Sequence, residues 1–298
     1  MKKRLAVWAM IAVSVMWAPS FIATSKISVH IMPYSLTLLR FSITLAGLFV
    51  IKLVTKNREK IAQKDRLFFF LVALCNPLHY ILSNLASVNL DPTESIVFSS
   101  FQCLLTLIGA SFLLEILVTP KISFYVGISA VGAVFTMIIR SPDSSTLRNY
   151  ILMASAMTIW VVYCLYMPRL LKKYQITTIL YYQFLYAVIL LLPSIFLEQN
   201  SWGELMRSGK KEVIYLSVFC TLLAFLLNAY ALKYIGAISV SMIMNIDPAL
   251  LFFINAYQKH ISIDGIQLMG VTLIILGVVL VSFDIIHNEK SKIAEKPA

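Results

Sequence analysis

Residues 14–26 read "SVMWAPSFIATSK", inside the first long apolar run of the chain. A Trp, a Pro, three Ser and a Thr interrupt a segment that is otherwise greasy. Residues i, i+3, i+4 and i+7 share one face of a helix. Ser14, Trp17, Ser20, Phe21 and Thr24 therefore form a single stripe, and Pro19 lies off it, where it marks a bend. Lipid cannot satisfy a polar stripe, so this one must face protein or water. Two readings follow: hydrogen bonding and close packing between helices, or the lining of a polar cavity.

The run is one of many. The chain has 298 residues, of which 59% are hydrophobic and 13% charged; its mean hydropathy is +0.84. A bilayer core takes about 20 apolar residues per helical crossing. Runs of that size recur near 5–25, 33–54, 67–90, 93–114, 122–139, 147–168, 176–197, 212–232, 236–257 and 261–283. With backbone satisfied inside each segment, the expected class is an all-α polytopic membrane protein of ten transmembrane helices. Leu5–Ser25 is too long for a signal-peptide core and reads as a retained helix. The connections are too short for a further soluble domain. Cys75, Cys103, Cys164 and Cys220 all fall within apolar runs, without metal-ligand spacing, and read as packing residues.

The net charge of +11 suggests a nucleic-acid partner until its distribution is read. With the N-terminus inside, the cytoplasmic segments hold seventeen Lys and Arg and the outer segments seven. That bias is a topology signal. It puts both termini in the cytoplasm and removes nucleic acid as a partner.

The chain also overlays on itself. An offset of 143–144 residues pairs Trp17 with Trp160, Asn84 with Asn228, Ser95 with Ser239 and Glu115 with Lys259. Five helices per half is an odd number, so the second half enters the membrane inverted. The expected units are residues 1–140, residues 141–286 and a cytoplasmic tail, 287–298. Inverted repeats hold substrate near the midplane, at the seam between halves.

"MWAPSFIATSK" followed by "PYSLTLLRF" resembles the opening of the EamA family of the drug/metabolite transporter superfamily. "LLEILVTPKISFYVGISAVGAV" is similar to its fourth-helix glutamate and Gly-rich fifth helix. "NIDPALLF" and "GIQLMGVTLIILGVVL" resemble the end of its second repeat. The likeness spans residues 5–284. It implies ten helices, a central cavity and export of small metabolites, often amino acids or their relatives. Two positions depart from the pattern: Ala18-Pro19 stands for a Gly-Ser-like pair, and Lys259 stands where a glutamate is usual.

Further polar stripes recur on helix three (Asn76, His79, Tyr80, Ser83, Ser87), helix four (Ser95, Ser99, Gln102, Thr106), helix six (Trp160, Tyr163, Cys164, Met167), helix seven (Tyr182, Gln183, Tyr186) and helix eight (Thr221, Asn228). Their recurrence at matched depth favours one shared cavity. Two charges fall within spans. Asp247 lies roughly 16 Å along its helix. An ionisable group at that depth is a functional hypothesis by default, so Asp247 is the candidate to bind a substrate amine, a coupling proton or both. Arg40, about 10 Å into helix two, is open to three roles: a substrate carboxylate, a pair with Asp247, or a snorkelling structural position. Together the two would suit a zwitterion. Trp17, Tyr80, Trp160, Tyr163, Tyr182 and Tyr186 are packing residues or cation–π walls. His79 is a hydrogen-bonded helix residue or a proton relay. Gln102, Asn228 and Ser20 complete the candidate polar set. Glu115 faces Lys121 across a tight turn and reads as structural or as a gate-end salt bridge, not as a substrate contact.

An intramembrane enzyme would need a nucleophile with its partner or a metal cluster. "VGISAVG" lacks the Gly-x-Ser-Gly of a serine protease, and His30, His79, His260 and His287 are scattered. A channel would carry more interior charge. The expected activity is secondary transport of a small amphipathic metabolite, an amino acid or relative, across the inner membrane, as a proton-coupled exporter. Import or export of a cationic metabolite or drug is the alternative. No cofactor or metal is expected, and monomer and homodimer stay open.

Overall fold

The computed structural model of the chain describes residues 1–88, 90, 101–115, 119–137, 147–259 and 265–287, and these hold helices and turns with no strand. The helices are α1 Lys2–Trp17, α2 Ser20–Ile27, α3 Pro33–Val54, α4 Arg66–Ser87, α5 Gln102–Leu114, α6 Pro120–Met137, α7 Leu147–Leu171 and α8 Ile176–Leu191. Short helices α9 Ser194–Leu197, α10 Trp202–Ser208 and α11 Lys210–Ile214 follow. A π-helical stretch, Tyr215–Leu223, then leads into α12 Ala224–Met244, α13 Ile246–Lys259 and α14 Gly265–His287.

Among the described residues six helices are long and apolar enough to cross a bilayer, and two shorter apolar ones span Gln102–Leu114 and Leu268–Asp284. The chain is a membrane protein. The last of the six runs for 42 residues, Lys210–Leu251, about twice the length of one crossing. Gly236 divides it: its φ of 77° and ψ of 170° are non-helical, in a region that Gly enters without steric cost. Parts of the stretches expected near 67–90, 93–114, 122–139 and 261–283, with Ser95 and Ser99, lie outside the described residues.

Pro19 ends the first helical segment. It lacks an N–H, so α1 stops at Trp17 and the helix resumes at Ser20. The Ser20 hydroxyl donates to the Trp17 carbonyl at 2.6 Å, taking up an acceptor at the break.

The helix pairs have a reciprocal pattern. The first helix, α1, packs on α12, as α4 packs on α7; α3 packs on α8 and α6 on α14. One end of the bundle is tied by Lys173 to Asp65 at 2.8 Å and by Asn57 to Thr177 and Thr178, each at 2.9 Å. At the other end the Glu198 carboxylate accepts the Tyr34 and Ser35 N–H groups at 3.1 and 2.6 Å, capping α3. Asn200 accepts from the Met32 N–H there at 2.7 Å.

The contact between α6 and α14 is made through backbone. A Cβ on Gly132 would lie 2.6 Å from the Gly270 carbonyl oxygen, and one on Gly277 would strike the Ser129 hydroxyl. Lys121 joins the pair by bonding Asp284. This corrects the expected Glu115–Lys121 contact: Glu115 adopts a left-handed conformation that ends α5, and the lysine turns to α14. A Cβ on Gly127 meets nothing within 4 Å. Gly132→Ala should therefore lower the thermal midpoint of the detergent-purified protein, since overpacking costs about 1–3 kcal/mol. Gly127→Ala should leave it unchanged.

Candidate functional site

The site begins with a buried cation. Arg40 is 3% exposed. Its Nε and Nη2 donate to the Thr221 hydroxyl oxygen at 3.3 and 3.1 Å, and its guanidinium lies 4.6 Å from the centre of the Tyr80 ring. Among the described residues no carboxylate pairs with it.

Thr221 can accept from Arg40 because its own proton goes elsewhere. Its hydroxyl donates to the Leu216 carbonyl, five residues back, at 2.7 Å. That spacing belongs to the π-helical stretch, whose i→i+5 geometry is rare and occurs often at functional sites. Neighbouring helices grip the same stretch. Thr44 donates to the Ser217 carbonyl at 3.1 Å and Trp17 Nε1 to the Cys220 carbonyl at 2.7 Å. In return, Tyr215 donates to the Met16 carbonyl at 2.5 Å.

Asp247 is 2% exposed, and its Oδ1 has no partner. The sequence reading set it in mid-helix. The structure instead ends one helix at Met244 and starts another at Ile246, so Asp247 lies in a first helical turn. Unpaired N–H groups at a helix N-terminus favour a carboxylate there. The pair between Arg40 and Asp247 that the sequence left open is not formed.

Both residues line one cavity of about 80 Å³, room for a few waters. Trp17, Ser20, Phe21 and Thr24, the stripe of the opening stretch, run along one wall. His79, Tyr80, Ser83, Asn84 and Ser87 of α4 form another, and Gln102, Met157, Trp160 and Met244 complete the lining. The His79 Nδ1–H donates to the Ala156 carbonyl at 2.8 Å, leaving Nε2 as an acceptor. Asn84 donates to Thr37 at 3.0 Å.

The floor is aromatic. Trp17 and Trp160 meet edge to face at 5.4 Å between centroids, a geometry that adds about 0.5–1.5 kcal/mol beyond area burial. The two rings thus touch, and both line the cavity. Phe225 packs against Trp17, Trp160, Tyr163 and Phe184. Tyr163 lies outside the lining, behind Trp160 at 5.2 Å, with its hydroxyl donating to Gln183 at 3.4 Å. Asn228 is also buried outside the lining, and both polar atoms of its side chain lack partners.

Tyr182 and Tyr186 lie elsewhere. The inward face of α8 is centred on Gln183 and Phe184, each 1% exposed. The two tyrosines are turned aside and pack on Phe69 of α4. Sequence reasoning missed Phe225 and Phe41 because an aromatic on an apolar helix carries no mark of which way it faces. It also missed the π stretch, for which "YLSVFCTLL" has no composition signal. None of the four cysteines forms a disulfide. Among the described residues no three His, Cys, Asp or Glu side chains gather as metal ligands.

Comparison with known proteins fits this architecture. The model of the EamA-like transporter family matches residues 4–138 and again residues 147–283. The chain belongs to the EamA-like transporter family. Among curated proteins none matches it. A solved crystal structure, described only as that of a protein, is similar in fold, with a TM-score of 0.76 at 17% identity, over 92% of this chain and 95% of the other.

Thr221→Val should lower the thermal midpoint, because hydrogen bonds to charged groups contribute about 1.5–3 kcal/mol and this change removes both from Arg40. Thr221→Ser keeps the hydroxyl and should restore the midpoint in the same melting assay.

Proposed function

We propose that the protein is a secondary active transporter that moves a small amphipathic metabolite, an amino acid or close relative, across the inner membrane by alternating access. The observation that carries this reading is the cavity itself. A guanidinium and a carboxylate, both buried and neither paired with the other, line one small chamber with aromatic walls. Charges are costly at membrane depth and concentrate along substrate pathways. Arg40 would take the substrate carboxylate and Asp247 the ammonium or the coupling ion. Trp17, Trp160, Tyr80, His79, Gln102 and Ser20 would bound the solute, with Tyr163 and Asn228 behind them and Tyr182 and Tyr186 outside its reach.

The reading includes ten helices in two inverted halves, residues 1–140 and 141–286, with the 287–298 tail and the N-terminus in the cytoplasm. Two family matches of similar length and the reciprocal helix pairing support it. Export is taken from the family, and proton coupling from Asp247, since the proton is the ion that one carboxylate can carry unaided. A second reading, transport of a cationic metabolite or drug, is favoured by the same carboxylate beside the Trp17–Trp160 pair.

A thermal-shift screen of the purified protein against amino acids, cationic metabolites and sugar phosphates tests the reading. A zwitterion at 100 times its Kd should add about 2.7 kcal/mol. Arg40→Ala should abolish its effect, and Asp247→Asn should abolish transport in proteoliposomes or remove its pH dependence. Equal stabilisation by an amino acid and by its decarboxylated amine would favour the cationic reading. Stabilisation by none of the three classes would remove the cavity as a solute site.

A further inference from the structure

A second pocket lies at the end of the bundle that Lys173 and Asp65 tie together. It sits between the start of α4 and the end of α7 and has a volume of about 400 Å³. Asp65, Phe68, Arg169, Leu170, Lys172 and Lys173 line it, and it shares no lining residue with the chamber of Arg40 and Asp247. Three cations stand there against one carboxylate, and that carboxylate is engaged. Lys173 Nζ donates to one Asp65 oxygen and the Tyr174 hydroxyl to the other, each at 2.8 Å. The pocket therefore has surplus positive charge. Arg169 is exposed, and among the described residues no carboxylate pairs with it. Its guanidinium lies 5.1 Å from the centre of the Tyr166 ring, and Tyr166 meets Phe68 edge to face at 6.1 Å. A contact with a ring face does not use the in-plane N–H donors of the guanidinium.

This chemistry suits a ligand with a compact anionic group beside an apolar body. Arg matches phosphate with a fork of N–H donors, and Lys adds a point charge. Phe68 and Leu170 give the pocket an apolar side. Leu67 and Leu71, within one turn of Phe68 on α4, are 72% and 54% exposed. A soluble anion gains nothing from that apolar strip, whereas a lipid can lay its chains along it. Basic pockets between membrane helices bind anionic headgroups in this way. Arg58, Lys60, Lys64 and Arg66 gather at the same end, just before α4 and at its start, and draw anionic lipid towards it. We propose that the pocket between α4 and α7 binds the phosphate of an anionic membrane phospholipid, with Arg169 and Lys172 on the headgroup and Phe68 against the glycerol and chains. The surplus charge would repel the quaternary ammonium of a zwitterionic choline lipid. The two helices come from different matched stretches of the chain, so the lipid would bridge the halves.

The test is thermal unfolding of the full-length protein in detergent at fixed pH and ionic strength, titrated with phosphatidylglycerol, phosphatidylcholine or inorganic phosphate. Phosphatidylglycerol should raise the midpoint saturably, and the other two should not. A double variant, Arg169→Ala with Lys172→Ala, should weaken the apparent phosphatidylglycerol affinity at least tenfold. Both side chains are exposed, so its midpoint in phosphatidylcholine should match that of the wild type. A control pair at exposed positions near the other end, Lys210→Ala with Lys211→Ala, removes the same charge and should respond to phosphatidylglycerol as the wild type does. Equal stabilisation by the two lipids would overturn the anionic site. Equal weakening in both double variants would reduce the effect to net charge and overturn the pocket as its seat. Stabilisation by inorganic phosphate to the same extent would make the ligand a soluble anion and overturn the lipid.

Discussion

One constraint organises the interior: a guanidinium held at membrane depth must be answered by fixed dipoles. The Arg40 guanidinium is met by the Thr221 hydroxyl and the Tyr80 ring. Thr221 can turn its lone pairs to Arg40 only because its proton is spent on a carbonyl five residues earlier. The π-helical turn is thus part of the charge compensation. Trp17 and Thr44 bond to other carbonyls of that turn, so α1, α3 and the 215–223 stretch are fixed by one set of backbone groups. Cavity shape and charge placement have a common cause.

The sequence offset also explains an asymmetry. Phe41 and Phe184 stand 143 residues apart and touch at 4.9 Å; Trp17 and Trp160 touch at 5.4 Å. Residues related by the repeat meet near the middle of the bundle. By the same offset the counterpart of Arg40 is Gln183, whose side-chain oxygen accepts from Asn76 and Tyr163, each at 3.4 Å. One half has a charge where the other has a neutral amide.

Much of this was legible in the sequence. Apolar run length announced the membrane helices, and the 3.6-residue period put Trp17, Ser20, Phe21 and Thr24 on one wall. The period failed where geometry departs from an ideal helix. Tyr182 and Tyr186 share a stripe with each other, yet the face that turns inward is set by Gln183 and Phe184, one position away. Asp247 reads as mid-helix when "MIMNIDPALL" is taken as one apolar run, although Asn245 and Pro248 are a helix-start signal. The π stretch reads as an ordinary apolar helix, since its extra residue per turn is set by the tertiary bonds of Arg40, Thr44 and Trp17. Phe225 has an apolar but non-aromatic counterpart in the first half, so the repeat did not point to it.

The glycine seam between α6 and α14 has a mechanical consequence. Contacts between side chains can exchange rotamers and re-form in a second arrangement. Backbone against backbone, as at Gly132 and Gly270, has no rotamers to exchange. The seam can tilt but not repack, and its two helices come from different matched stretches of the chain. A transport cycle of the kind proposed above would therefore have to turn about this seam rather than rearrange it.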